Sequence, residues 1–209
     1  MPWSDAKTRE AVEAEFGRIT RPDFSMPNGR TEDYKILEPH LATYQAGRAV
    51  RILAMLEMSD QYGMTGFPVS RLEHALQTAT LAFQAGKDEE YVVCALLHDF
   101  AESLVFDNHA EVGAELLKPF ISEANYWMLY HHSFFQMYHM GPHIGVPREM
   151  REQWRGHPHF ERTLEFCDSF DALAFCAGRE AMPLEAFRPM VERVTMKLGN
   201  TAIAAMMPD

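Results

Sequence analysis

The sequence is poor in the features that mark membrane, nucleic-acid-binding and disulfide-rich proteins. No apolar run approaches the roughly 18 residues of a membrane-spanning helix, and acidic residues stand where a signal peptide would be apolar. The sequence has only 19 Lys and Arg against 30 Asp and Glu, and it has no basic cluster. A nucleic-acid phosphate backbone would therefore be repelled. The three cysteines show no disulfide spacing. We therefore expect a soluble, cytoplasmic protein with no nucleic-acid or membrane partner.

The chain also lacks internal repeats, low-complexity segments and the alternating patterns of strands. Its 209 residues suit one domain, and an apolar content of 47% provides enough material for a core. Residues 1–36 mix proline, glycine and charge, which predicts an N-terminal arm with a short helix near residues 5–17. We predict an all-α core over residues 37–209.

Apolar periodicity predicts the helices of this core. One helix runs from Pro39 to about Asp60, and after a loop Ser70 and Glu73 form a capping box that starts the next helix, which ends at Gly86. The apolar segment 91–97 is compatible with a buried strand or a buried helix, and its Ala and Leu content favours the helix. Further helices are predicted at about 109–118, 123–139, 158–177 and 183–206.

Histidine is in excess, with ten residues of which eight lie at or after position 98. His74 falls in the first turns of the capped helix, and the pair His98 and Asp99 follows 24 residues later at the end of an apolar helix. One helix, a turn and an antiparallel helix return the chain to its start, so these three side chains can converge. Neutral imidazole and carboxylate are ligands of Fe, Mn, Zn and Co, and the sequence therefore predicts a metal site.

More potential ligands follow along the chain. His109 opens a helix, His132 lies in the next helix, and Asp168 sits in an apolar segment where an unpaired carboxylate is costly to bury. Six ligands exceed what one open metal site needs and suit two metals, with Asp99 as the bridge. Asp171, three residues after Asp168 on nearly the same helix face, is the alternative last ligand.

The ordered series of six ligands resembles the HD-domain superfamily of metal-dependent enzymes over roughly residues 38–178. The series consists of His74, His98, Asp99, His109, His132 and Asp168. Together with the stretch His-Ala-Glu-Val-Gly-Ala that begins at position 109, it is similar to the mixed-valence diiron oxygenases that cleave organophosphonates and, more distantly, to myo-inositol oxygenase. The resemblance implies a helical bundle that holds two irons, Fe(II) and Fe(III), in its core. It implies a reaction in which dioxygen hydroxylates or cleaves a small organic substrate.

The sequence departs from that branch around the site. The branch carries a Tyr and a Glu that guard the iron where this chain has Met64 and Phe67. The branch also places cationic or imidazole side chains, which can hold a phosphonate, where this chain has Glu102 and Gln136. We expect this carboxylate and amide to be the catalytic-site contacts to a neutral or amine-bearing substrate, since they would not attract a dianion. Four apolar side chains are expected to wall the pocket: Met64, Phe67, Phe134 and Phe135.

The same ligands would serve a metal-dependent HD phosphohydrolase that acts on a nucleotide or another phosphate ester with Mn, Co or Mg. Glu102 resembles the acid that nucleotide-hydrolysing HD proteins carry after their HD pair. No obvious phosphate-binding Arg/Lys pair follows, which favours the oxygenase. A third alternative is an HD fold without metal that acts as a binding or regulatory module.

Overall fold

The computed structural model describes residues 7–196. Nine α-helices lie in this range and no strand is found in it, so the predicted all-α fold is confirmed. Within the same residues, no helix combines the length and the hydropathy needed to cross a lipid bilayer. The chain divides into two compact units with the boundary between Ala54 and Met55.

The first unit contains α1, α2 and the beginning of α3. These helices span Arg9–Phe16, Thr31–Ala46 and Arg48–Tyr62. The single helix expected from Pro39 to Asp60 is thus two helices separated at Gly47, because glycine weakens a helix that continues through it. Pro39 lies inside α2 instead of starting it. Glu32 and Asp33 favour the earlier start, since acidic side chains stabilise the first turn of a helix.

The second unit contains the remaining helices. They are α4 (Arg71–Gln84), α5 (Glu89–Leu97), α6 (His109–Leu117), α7 (Glu123–Met140), α8 (Phe160–Phe166) and α9 (Leu184–Thr195). The predicted capping box begins α4: Ser70 Oγ accepts from the Glu73 backbone N–H at 3.2 Å, and Glu73 Oε2 accepts from the Ser70 backbone N–H at 2.7 Å. Residues 91–97 form a helix that is buried on all sides, as their composition favours.

Two antiparallel helix pairs, α4 with α5 and α6 with α7, form the body of this unit. The connections within both pairs are short, which makes consecutive helices neighbours of opposite direction. α8 packs against α7 and α9 packs against α5. Large side chains such as Tyr91, Phe160 and Phe166 are fully buried between the helices, and each of the two phenylalanines contributes about 1.5–3 kcal/mol of hydrophobic stabilisation.

A π turn follows α8 where the sequence predicted a continuous α-helix over 158–177. The turn spans Cys167–Asp171 and is closed by a hydrogen bond from the Ala172 backbone N–H to the Cys167 carbonyl oxygen at 2.9 Å. This wider turn inserts an extra residue, so side chains three positions apart no longer share one face. The last helix, α9, begins at Leu184, one residue after its predicted start, and its predicted continuation to 206 falls outside the described residues.

Candidate metal centre

The antiparallel pair of α4 and α5 brings together the first ligand group. His74 lies in the first turn of α4, and His98 and Asp99 follow the last residue of α5. The Nε2 atoms of His74 and His98 are 3.0 Å apart, and Asp99 Oδ2 is 3.6 Å and 3.2 Å from them respectively. Asp171, at the end of the π turn, adds its Oδ1 atom 3.2 Å from His74 Nε2. This group therefore offers two imidazoles and two carboxylates.

The pair of α6 and α7 supplies a second ligand group on the other side of Asp99. His109 is the first residue of α6 and His132 lies in the middle of α7. Their Nε2 atoms are 3.2 Å and 3.1 Å from Asp99 Oδ1. The two oxygens of Asp99 thus face different histidine pairs, so this carboxylate could bridge two metal ions.

A backbone carbonyl oxygen orients each of the four imidazoles. The Nδ1 atoms of His74, His98, His109 and His132 contact the carbonyl oxygens of Ala174, Ala95, Phe106 and Leu129 at 3.2, 2.9, 2.8 and 2.7 Å. A carbonyl oxygen can only accept, so each Nδ1 carries the proton and donates. Each Nε2 of a neutral ring is left with a lone pair directed into the cluster. This second contact is the usual way in which a protein fixes a metal-binding histidine.

Burial favours a cation at this position. Asp171 and the facing rings of His74 and His98 are enclosed, and Asp171 Oδ2 is buried without a hydrogen-bond partner among the described residues. Burial raises the pKa of Asp99, but His98, His109 and His132 outweigh it and hold that pKa well below its usual value. Burial lowers the pKa of His98, yet Asp99 and Asp171 leave that pKa well above its usual value. The cluster therefore favours positive charge even when that charge is carried only by protons on the histidines.

The donor atoms also have the spacing that a metal pair requires. Nitrogen and oxygen ligands about 2.1 Å from one metal, at right angles to each other, stand about 3.0 Å apart. The separation between the Nε2 atoms of His74 and His98 matches this value, and the shortest imidazole–carboxylate separations are 3.1–3.2 Å. Two groups of three ligand atoms each meet the distance requirement for a metal, and they share Asp99. The residues present therefore fit two metal ions.

Asp168 is not brought to this cluster. Arg151, on a 3-10 segment spanning Arg148–Trp154, donates to both of its carboxylate oxygens at 2.8 and 3.1 Å, and His139 Nε2 lies 3.1 Å from Oδ1. The π turn is the physical reason, because it separates Asp168 from Asp171 in direction although only three positions separate them in sequence. Asp171, the alternative ligand at the sequence level, occupies the place expected for Asp168.

The two expected polar contacts differ in what surrounds them. Glu102 is buried and engaged by Arg71, whose Nε and Nη2 atoms lie 2.6 and 2.7 Å from its carboxylate oxygens. Gln136 is half-buried on α7, one turn after His132. Sequence reasoning missed Arg71 at the site. The signal was its position three residues before His74, which places both side chains on one face of α4.

Aromatic side chains border the first ligand group. The ring of Phe175 stacks on His74 with centroids 4.0 Å apart, and Phe67 packs on Phe175 at 4.7 Å. Of the other expected wall residues, Phe135 is fully buried and packs against Phe160 at 5.3 Å. Phe134 packs on Trp154 at 4.4 Å. Phe67 is thus near the ligands, Phe135 is a core residue, and Phe175 is a border residue that the sequence did not indicate.

The fold and the ligand cluster define a helical domain whose histidine and aspartate side chains could hold metal. Residues 71–173, about half of the chain, match the family model described as HD domain. The chain therefore contains an HD domain, as the resemblance of its sequence indicated. All six clustered His and Asp side chains lie within the matched segment.

Two characterised relatives match parts of the chain. A 1-hydroxy-2-(trimethylamino)ethylphosphonate dioxygenase (glycine-betaine-forming) of Leisingera caerulea is 44% identical over 66 residues, which is 26% of this chain and 34% of the relative. A hydroxymethylphosphonate dioxygenase of Gimesia maris is 32% identical over 88 residues, which is 35% of this chain and 44% of the relative. The chain thus covers less than half the length of each. The domain and these relatives support a metal-dependent HD-domain enzyme.

Proposed function

We propose that this protein is a diiron oxygenase that uses dioxygen to hydroxylate or cleave a small organic substrate. The observation that carries the proposal is the shared carboxylate of Asp99, whose two oxygens face two separate pairs of histidines. A bridging carboxylate between histidine-rich shells suits a metal pair that passes electrons, since imidazole and carboxylate accommodate iron in more than one charge state. The relatives named as dioxygenases support the same reaction class.

Six side chains would hold the two irons. His74, His98 and Asp171 would bind one iron, His109 and His132 would bind the other, and Asp99 would bridge them. Asp171 replaces Asp168 in this assignment, because the carboxylate of Asp168 is paired with Arg151. The second group has one fewer protein ligand and includes the partly exposed His109, so this side has room for an exchangeable ligand.

The iron pair would supply the electrons that activate dioxygen, a reaction that no protein side chain performs alone. The protein's own groups prepare the site for it. The four carbonyl contacts fix the imidazole tautomers before metal arrives, and the aromatic rings of Phe175 and Phe67 exclude water beside His74. Met64 and Phe67 offer no ligand atom comparable to a carboxylate or phenol, so neither fills a coordination position at this site.

The phosphohydrolase alternative depended on a free carboxylate at Glu102, and that carboxylate is not free. Glu102 was its candidate acid, and its carboxylate is committed to Arg71. A carboxylate that is held in a buried ion pair is not free to contact a substrate. The geometry therefore favours oxygen chemistry.

The test is spectroscopic and chemical. Iron-loaded protein should contain two irons per chain and, after partial reduction, show the low-field electron paramagnetic resonance signal of a coupled Fe(II)/Fe(III) pair. Oxygen uptake should rise with one member of a panel of small phosphonates, carboxylates and amines. A protein that lacks the signal but hydrolyses phosphate esters when loaded with Mn or Co would contradict the proposal. As a matched control, Arg162→Gln, at an arginine bonded to Asn125 away from the cluster, should change neither result.

A further inference from the structure

Arg71 and Glu102 form an ion pair at the edge of the ligand cluster. Both side chains are almost fully enclosed, at 9% and 1% exposed. Glu102 occupies one edge of the guanidinium, the edge formed by Nε and Nη2. The pair therefore carries no net charge, and the carboxylate of Glu102 is not available to bind a substrate ammonium or hydroxyl group.

The opposite part of the guanidinium faces the bridging carboxylate. Arg71 Nη1 lies 3.6 Å from Asp99 Oδ2 and donates no hydrogen bond within residues 7–196. Arg71 Nη2 lies 4.0 Å from Met64 Sδ, and the guanidinium carbon lies 5.0 Å from the centre of the Phe67 ring. Met64 and Phe67 are both partly exposed. The guanidinium of Arg71 thus lies between the ligands and an exposed apolar border, with its Nη1 group towards Asp99.

The accessible part of the cluster includes Asp99, and Arg71 borders its Oδ2 atom. His74 and His98 are fully enclosed, whereas the side chains of Asp99 and His109 are 12% and 15% exposed. A molecule that reaches Asp99 Oδ2 comes beside Arg71 Nη1. Planar guanidinium groups bind oxyanions through paired N–H donors, and Arg71 retains such donors only on this side.

We propose that Arg71 is a specificity-determining residue that binds a singly charged oxyanion of the substrate, a carboxylate, and that Glu102 positions it. The inference rests on the proposed function, because it assigns a substrate class to that same site. Glu102 neutralises the positive charge of the Arg71 guanidinium. Its carboxylate would also repel the second negative charge of a dianion such as a phosphonate, since like charges repel strongly in an enclosed site. The substrate is thus an organic carboxylate, in place of the neutral or amine-bearing molecule that Glu102 and Gln136 suggested.

The test compares two probes that differ only in their acid group, propionate and ethylphosphonate. Each is titrated calorimetrically at pH 8 into iron-loaded protein kept free of oxygen, so that no turnover occurs. Arg71→Gln should weaken propionate binding about tenfold, because one charged hydrogen-bonding partner is lost. Glu102→Gln should act in the opposite direction and strengthen ethylphosphonate binding about tenfold, because it removes a negative charge beside the guanidinium.

The controls separate recognition from a merely structural role. The double variant Arg71→Gln/Glu102→Gln leaves no unpaired buried charge and should bind propionate as weakly as Arg71→Gln, while Arg162→Gln should bind as the unaltered protein does. If both single variants weaken both probes alike, if Arg71→Gln retains full propionate affinity, or if the unaltered protein does not bind propionate, the inference is overturned. Iron content is measured on every sample. If the unaltered protein holds two irons and one of these results is found, only the inference about Arg71 is overturned. If the unaltered protein holds fewer than two irons, the proposed function is overturned as well.

Discussion

Two aspartates three residues apart allow the metal assignment to be tested by one pair of matched substitutions. Asp171→Asn removes a carboxylate that lies 3.2 Å from His74 Nε2 and 3.6 Å from His98 Nε2. We expect this variant to retain about one iron per chain and the unaltered protein to retain the proposed two. Asp168→Asn removes the partner of Arg151 and should leave both irons in place.

The two variants should lose stability for different reasons. A metal present at about 100 times its dissociation constant stabilises the folded protein by roughly 3 kcal/mol. For a chain of this size that corresponds to roughly 6–12 °C in melting temperature, which Asp171→Asn should lose. Asp168→Asn weakens an ion pair in which Arg151 is buried and Asp168 is 35% exposed, so we expect a cost of roughly 1–3 kcal/mol.

The assay is elemental analysis of each variant beside thermal unfolding with and without a chelator. Chelation should lower the melting temperature of Asp168→Asn as much as that of the unaltered protein, and that of Asp171→Asn by less. The reasoning is refuted if Asp168→Asn loses an iron while Asp171→Asn retains both. Equal iron content in all three proteins would remove Asp171 from the ligand set.

Three further predictions concern the same unit. Asp99→Ala should lose both metals, whereas His109→Ala should lose chiefly one, because only Asp99 contacts both histidine pairs; metal content per chain measures this. The difference in melting temperature between metal-loaded and metal-free protein should shrink as pH falls from 8 to 5. Protons compete with the metal for the imidazoles. The pKa of His98 is also raised in the folded protein, so protonation of His98 stabilises the metal-free form at low pH. Ser70→Ala should lower the free energy of unfolding by about 1 kcal/mol through loss of the α4 cap, without changing metal content; a denaturant titration of the metal-loaded protein checks it.

Local sequence signals predicted the part of the site that depends on regular helices. The capping box at Ser70 and the apolar segment before His98 defined an antiparallel pair, and the convergence of His74 with His98 follows from that pairing. Helix periodicity could not distinguish Asp168 from Asp171, because the choice depends on one hydrogen bond of a π turn. No local pattern in the sequence predicts that turn.

Contacts between distant segments were the other part that the sequence could not supply. The pairing of Arg71 with Glu102 joins positions 31 residues apart, and each alone looks like an ordinary polar residue of a helix or a turn. Glu102 was therefore interpreted as a free acid. The break at Gly47 was missed for a different reason, because the apolar spacing on both sides of it fits one continuous helix.

The proposed ligands reach the centre from segments scattered along most of the second unit, from His74 to Asp171, a span of 97 residues. A ribosome releases these segments one after another, and the first complete set of ligands exists only after Asp171 has emerged. Incomplete chains carry the histidine pairs without the last carboxylate, so on the proposed assignment both metals would be held only after Asp171 has emerged. On that assignment, truncation before the π turn should yield chains that neither retain the full metal complement nor reach the stability that it confers, so metal content would measure complete folding.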